Sequence, residues 1–191
     1  MISISYIKGV HHMKTKHLIY AALFAALIAV GAQIRIPIGP VPVTFQVPMV
    51  LLAGFLLGPK LGALSTTVYM LVGLVGVPVF AGSGGIGSLI SPSFGFIIGY
   101  IPAAFIAGLG AGNERGLAKT AGFGMLALLV IYVFGFLYFV FIMNQVIGTP
   151  VGLTEALMLT VVPFVIKDTI ITVLTAMFGK TLCRRGLRPA I

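Results

Sequence analysis

The chain has 191 residues, 59% of them hydrophobic and 8% charged, and a mean hydropathy of +1.17. Three acids, Glu114, Glu155 and Asp168, stand against twelve Lys and Arg, so most of the chain cannot face water and it reads as an all-α polytopic membrane protein. The length admits about six spans of ~20 residues in one domain and no soluble catalytic domain; the formal +9 charge sits at the ends of apolar spans, with no stripe of basic and exposed aromatic residues of the kind that binds nucleic acid.

Residues 1–16 are polar and basic, too weakly apolar for a signal-peptide core, and read as a cytoplasmic lead with Met13 as an alternative start; residues 17–191 read as the transmembrane domain. His11, His12 and His17 lack carboxylate or cysteine partners and are read as a solvated tail with no metal site. The first span is expected over His17–Gln33. Its alanines, Ala21, Ala25 and Ala29 beside Ala22 and Ala26, form small-xxx-small stripes that permit close helix approach, either inside the bundle or against an external partner.

Residues 35–48, RIPIGPVPVTFQVP, contain four prolines and cannot form one helix, so they read as an extended connector or partial re-entry with Thr44 and Gln46 as its polar points. Spans two and three are expected over 48–57 and 61–75, split by Gly58, Pro59 and Lys60, with small residues repeating at Gly54, Gly58 and Gly62. Then comes GLVGVPVFAGSGGIGSLISPSFGFIIGY, residues 73–100. Pro78, Gly82, Gly84, Gly85, Gly87 and Pro92 oppose a helix, leaving an irregular loop between the third and fourth spans that either lines a cavity or is a plain connector. Its G-x-G-x-x-G at Gly82, Gly84 and Gly87 is no dinucleotide fingerprint, because the next acid is Glu114.

The fourth span is expected over 94–109, a polar loop over 110–119 and the fifth span over 120–143. A short surface helix is expected over 153–161 and the sixth span over 163–182, with Pro163 at its first position. Asp168 then lies about one and a half turns below the outer end; a span starting near Leu153 would instead put it about 22 Å down. With the N-terminus inside, Lys8, Lys14, Lys16, Lys60, Arg115, Lys119, Lys180, Arg184, Arg185 and Arg188 fall on the cytoplasmic side against Arg35 alone outside, so both termini are expected in the cytoplasm. Cys183, the single cysteine, beside Arg184 and Arg185, excludes a disulfide framework and a thiolate metal site.

Lys167 and Asp168 are the ionisable pair inside an apolar span. Burying charge there costs at least about 2.5 kcal/mol per group, so both should face the bundle interior. Adjacent residues point about 100° apart on a helix, so they are expected to pair poorly with each other and to serve something else, a structural ion pair being the alternative. No Walker A run and no Ser, His and acid set is present, which argues against an enzyme; a channel would need polar residues in the inner halves of the spans, which are almost wholly apolar.

The blocks IPIGPVPVTFQ, LLAGFLLGPKLGALS, YMLVGLVGVPVFAGSGGIGS and SPSFGFIIGY, with PFVIKD at 163–168, resemble the BioY family, the biotin-specific substrate-binding (S) subunits of energy-coupling-factor (ECF) transporters. The resemblance implies a six-helix S-component fold in a prokaryotic cell membrane, binding biotin from outside and holding no cofactor of its own. It also implies docking through Ala21, Ala22, Ala25, Ala26 and Ala29 onto a transmembrane coupling subunit driven by two ATPases that consume ATP. Self-sufficient biotin transport, or service to another vitamin, are the alternatives.

By the same resemblance Asp168 accepts from the ureido N–H groups of biotin. Backbone N–H groups around Gly82, Ser83, Gly84 and Gly85 bond the remaining polar atoms. Thr44 and Gln46 join from the other outer segment, and Tyr69 and Tyr100 cover the apolar ring. The family pattern PF-x-P-G-D-x-x-K is not kept: Ile171 stands where the lysine is expected, and Lys167, one turn higher on the same face, is taken to supply that charge, directed at the biotin carboxylate. Some relatives carry an arginine where this chain has Ser83.

Overall fold

The computed structural model describes residues 15–37, 40–112 and 115–186; His11, His12, Met13 and Glu114 lie outside the described residues. Helix α1 (Thr15–Gln33) is followed by a minimal antiparallel ladder of β1 (Arg35–Ile36) and β2 (Val43–Thr44), then α2 (Gln46–Leu74), a 3-10 turn (Ile86–Ile90) and α3 (Phe94–Leu109). Helix α4 (Leu117–Phe141) runs on through a π turn (Ile142–Ile147), and α5 (Leu153–Thr160) and α6 (Val162–Arg184) complete the chain. Among the described residues α1, α2 taken whole, α4 with its continuation and α6 are long and apolar enough to cross a membrane, and α3 is a shorter apolar helix. This is a multi-pass membrane protein.

The 29-residue α2 is not one rod. A straight helix of that length would separate its ends by about 40 Å, yet Gln46 Nε2 donates to the Tyr69 hydroxyl at 2.7 Å. The chain folds back at Gly58, whose φ of 78° lies in the left-handed region that a side chain disfavours. Pro59 then opens the second arm, where its missing N–H costs nothing. The two arms are the expected second and third spans, so the expected six spans correspond to α1, these arms, α3, α4 and α6. Bare glycines bring the elements together: a Cβ on Gly62 would lie 2.9 Å from Gly54 Cα, one on Gly54 2.5 Å from Ala104 O, and one on Gly108 2.3 Å from Pro59 N. Helix α3 therefore seats directly on the backbone of the hairpin.

Around this centre the outer helices divide by face. Ala21, Phe24, Ala25, Ile28 and Ala32 of α1 are buried, whereas Leu18, Ile19, Leu23 and Val30 are exposed. The alanine stripes are thus split: Ala21 and Ala25 pack inward, while Ala22 and Ala26 remain open. Leu129, Val133 and Leu137 of α4, and Ile166, Ile170 and Leu174 of α6, point outward at helical spacing, which suits lipid.

The segment ahead of α6 resolves the two depths considered for Asp168. Val161, at φ −120° and ψ −53°, breaks α5 from α6, and Pro163 falls in the first turn of α6, so Asp168 sits near the start of its helix and not midway along a longer one. Asn144 closes the preceding loop, accepting from Val151 N at 2.7 Å and donating to Val151 O at 3.4 Å. At the other end of the bundle Lys180 Nζ donates to Arg115 O, and Lys60 adjoins Pro59, against which Gly108 packs. Lys60, Arg115 and Lys180 therefore gather at one end, whereas Lys167 reaches Thr44 O, opposite Arg35, at the other.

The contact between α3 and the hairpin turn has a measurable cost of disruption. Gly108→Ala places a methyl against backbone that cannot yield, and is expected to destabilise by about 1–3 kcal/mol. A lowered midpoint of thermal unfolding in detergent checks it, with Gly122→Ala, which meets nothing within 4 Å, as the substitution that leaves the midpoint unchanged or raises it.

Candidate ligand-binding site

The start of the first hairpin arm, the start of α3, the middle of α4 and the start of α6 enclose a pocket at the end of the bundle remote from Lys60 and Lys180. The ladder and the glycine run roof it. It is a partly open recess lined by aromatic, aliphatic and polar side chains, a setting that suits a small organic molecule. Thr44, Gln46, Ser83, Tyr100, Lys167 and Asp168 all line it. The sequence placed these six on four separate stretches, and the fold brings them to one cavity.

Asp168 is 3% exposed. Its Oδ2 accepts from the Tyr132 hydroxyl at 2.8 Å, and its Oδ1 lies 2.7 Å from Lys167 Nζ. The expectation that neighbours on a helix pair poorly is corrected here: the lysine stem is long enough to swing its ammonium back over the adjacent carboxylate, and in an apolar setting that carboxylate is the strongest partner within reach. The ammonium also approaches Thr44 O at 3.4 Å. Its charge is therefore answered by Asp168, which leaves no support for its being reserved for a ligand carboxylate. Oδ1 has no aligned hydrogen bond among the described residues, and an ionised carboxylate offers about four lone-pair positions, so Asp168 keeps acceptor capacity toward the pocket.

A chain of hydrogen bonds sets the opposite wall. Thr44 Oγ1 donates to Gln46 Oε1 at 2.9 Å, Gln46 Nε2 to Tyr69 OH at 2.7 Å, and Tyr69 OH to Val79 O at 3.0 Å. Tyr69 is thereby corrected from a ring-covering residue to a buried support: it lies outside the pocket lining, its ring meets Phe80 edge-on at 5.5 Å, and it borders an apolar groove with Ala22, Ala25, Ala26 and Ala29. Phe80 and Phe94, in edge contact at 5.8 Å, supply the apolar cover together with Tyr100. Phe80 can lean on α2 because Gly73 has no Cβ, which would fall 2.0 Å from the ring.

The glycine run is more internally bonded than expected. Phe80 and Ser83 exchange backbone bonds of 2.9 and 2.8 Å around Ala81 and Gly82, both at positive φ, the pattern of a tight two-residue turn. Ser83 N is spent in that turn and Gly85 N on Gly73 O at 2.7 Å; Gly82, Gly84 and Gly85 do not line the pocket. These glycines shape the roof, and a Cβ on Gly84 would sit 2.4 Å from Val77 O. The 3-10 turn is tied to α4 by Tyr138 OH donating to Leu89 O at 2.6 Å.

Several lining residues were missed, among them Phe80, Phe94, Tyr132 and Ser88. Tyr132 holds the second oxygen of Asp168; its signal was a hydroxyl near the middle of the otherwise apolar fifth span, shared with Tyr138 six residues on. Ser88 is buried, and its Oγ has no partner among the described residues; nothing in its spacing separates it from the other serines of the run.

Comparison with known proteins follows the same outline. Residues 7–188 match the BioY family. The probable biotin transporter BioY of Pyrococcus horikoshii is 47% identical over 157 residues, covering 82% of this chain and 89% of that protein. The biotin transporter BioY of Thermotoga maritima is 39% identical over 168 residues, covering 87% and 95%. Among solved structures, the S-component for biotin from an ECF-type ABC transporter superposes with a TM-score of 0.77 at 28% identity, over 90% of this chain and 92% of that one. The fold is that of an S-component, and these relatives are transporters, not enzymes: the chain belongs to the BioY family.

Proposed function

We propose that this chain is the substrate-capture subunit for biotin uptake, taking biotin into the pocket around Asp168 from the outer side of a prokaryotic plasma membrane. Delivery inward uses an energy-coupling module of a transmembrane coupling subunit and two ATPases. The observation that carries the reading is Asp168 itself, a buried carboxylate with unused acceptor capacity facing an aromatic cavity. Biotin presents two ureido N–H donors, a carbonyl, an apolar thioether ring and a chain ending in a carboxylate. The donors match the aspartate, and charge-assisted bonds of this kind are strong where water is excluded. The ring matches Phe80, Phe94 and Tyr100, and the Ser88 hydroxyl, buried without a partner, is available to the ureido carbonyl.

Orientation follows from charge. Lys60, Arg115 and Lys180, gathered at one end of the bundle, support our assigning that end and both termini to the cytoplasm and the pocket to the outside. The open alanines of α1 border a groove floored by Val68, Tyr69 and Val72, and small residues allow a partner helix to approach closely. We assign this face to the coupling subunit.

Three outcomes are expected. Asp168→Asn weakens biotin binding to the purified protein by about 10- to 100-fold by calorimetry, as expected for loss of bonds to a charged group; unchanged affinity would sink the assignment of the site. Lys167→Ala weakens biotin and its neutral amide alike, because the lysine acts through Asp168. Ala22→Leu with Ala26→Leu leaves biotin binding intact but abolishes copurification with a coupling subunit and uptake into cells.

A further inference from the structure

Arg35 is the feature of the pocket end that the reading above leaves unused. It stands in β1 directly opposite Thr44 in β2, and directly opposed residues of an antiparallel pair project their side chains to the same face. Thr44 lines the pocket, so Arg35 leaves the ladder on the pocket side. Its guanidinium then crosses to the glycine run, where Nη1 lies 2.0 Å from the place a Cβ on Gly82 would occupy. Gly82, at φ +91°, is flanked by Ala81 and Ser83, both of which line the pocket. Arg35 is exposed and neither it nor Gly82 belongs to the pocket lining, so the head group stands just outside the mouth, beside the lining residues Ala81 and Ser83.

Its charge is also unanswered. Lys167 and Asp168 form the one ion pair among the described residues, and Arg35 has neither a hydrogen bond nor an acid partner among them. Of the two cations at this end of the bundle, Lys167 is compensated and Arg35 is free to take an anion. A guanidinium offers its donors as a planar fork that fits a carboxylate with two parallel bonds. Asp168 is deep and Ser83 exposed, so a ligand whose ring donors meet Asp168 directs its chain toward the rim.

We infer that Arg35, braced on the bare Cα of Gly82, receives the carboxylate end of the ligand and sets the preference for the free acid over neutral derivatives. The inference rests on the biotin reading and adds to it a specificity-determining residue. It also moves the role expected of Lys167 to a different element.

The test compares biotin with biotinamide, its uncharged amide, by calorimetry on the full chain in detergent. Wild-type protein is expected to prefer the acid. Arg35→Ala should weaken biotin by about 10- to 100-fold while leaving the amide within about twofold, which also shows that the variant is folded. Gly82→Ala, which displaces the guanidinium with Arg35 still present, should remove the same preference. Arg35→Ala binding biotin like the wild type, or losing acid and amide equally, would overturn the inference, as would Gly82→Ala with its acid preference intact. Wild-type protein binding neither compound would overturn the biotin reading and this inference with it, whereas Asp168→Asn losing both compounds alike separates the ring end of the site from the chain end.

Discussion

A carboxylate inside an apolar bundle persists as an anion only where its charge is met, and the architecture of this pocket follows from meeting the charge of Asp168. The Tyr132 hydroxyl comes from α4 and the ammonium from the adjoining Lys167. Both need α6 to begin at Val162, which sets Asp168 level with the middle of α4. The arrangement is compensated but not saturated, and this distinguishes it from a purely structural ion pair: one oxygen remains without an aligned hydrogen bond. In an interior of low dielectric an oxygen that is paired by charge but still has lone pairs to give is a strong attractor for a donor.

The remaining walls are held by backbone and glycine. Gly54, Gly62 and Gly108 let three helices meet almost backbone to backbone below the pocket, and Gly73 and Gly84 let the roof lie flat against α2. The polar chain from Thr44 through Gln46 and Tyr69 to Val79 O ties ladder, hairpin and roof together. Tyr69 also borders the alanine groove of α1. One side chain therefore touches both the support of the ligand wall and the surface assigned to the coupling subunit.

Much of this was legible in the sequence, for identifiable reasons. Apolar runs with basic ends mark the spans, Pro163 marks the start of α6, and the motif blocks mark the family. The hairpin turn was legible because Gly58 and Pro59 together are incompatible with a continuing helix. What escaped were relations between distant segments. Tyr132 lies 36 residues from Asp168, with no local pattern linking them, and the swing of Lys167 depends on rotamers that helical periodicity does not specify. The glycines of the roof were read as donors because glycine exposes backbone; the internal bonds of the Phe80–Ser83 turn are visible only once the turn is formed.

The short hairpin explains why a recess exists at all. Its arms from Gln46 and Pro59, and the 16-residue α3 beside them, rise only about 18 to 24 Å, against about 46 Å for the 31 residues of α4 with its continuation. Counted from the same basic end, the central helices stop well below the far end of α4. The cavity is this difference in height, roofed by the proline ladder and the glycine turn. Its depth is thus set by helix length, a coarse property that point substitutions along the walls leave untouched, so the lining can change its chemistry without the vessel being lost.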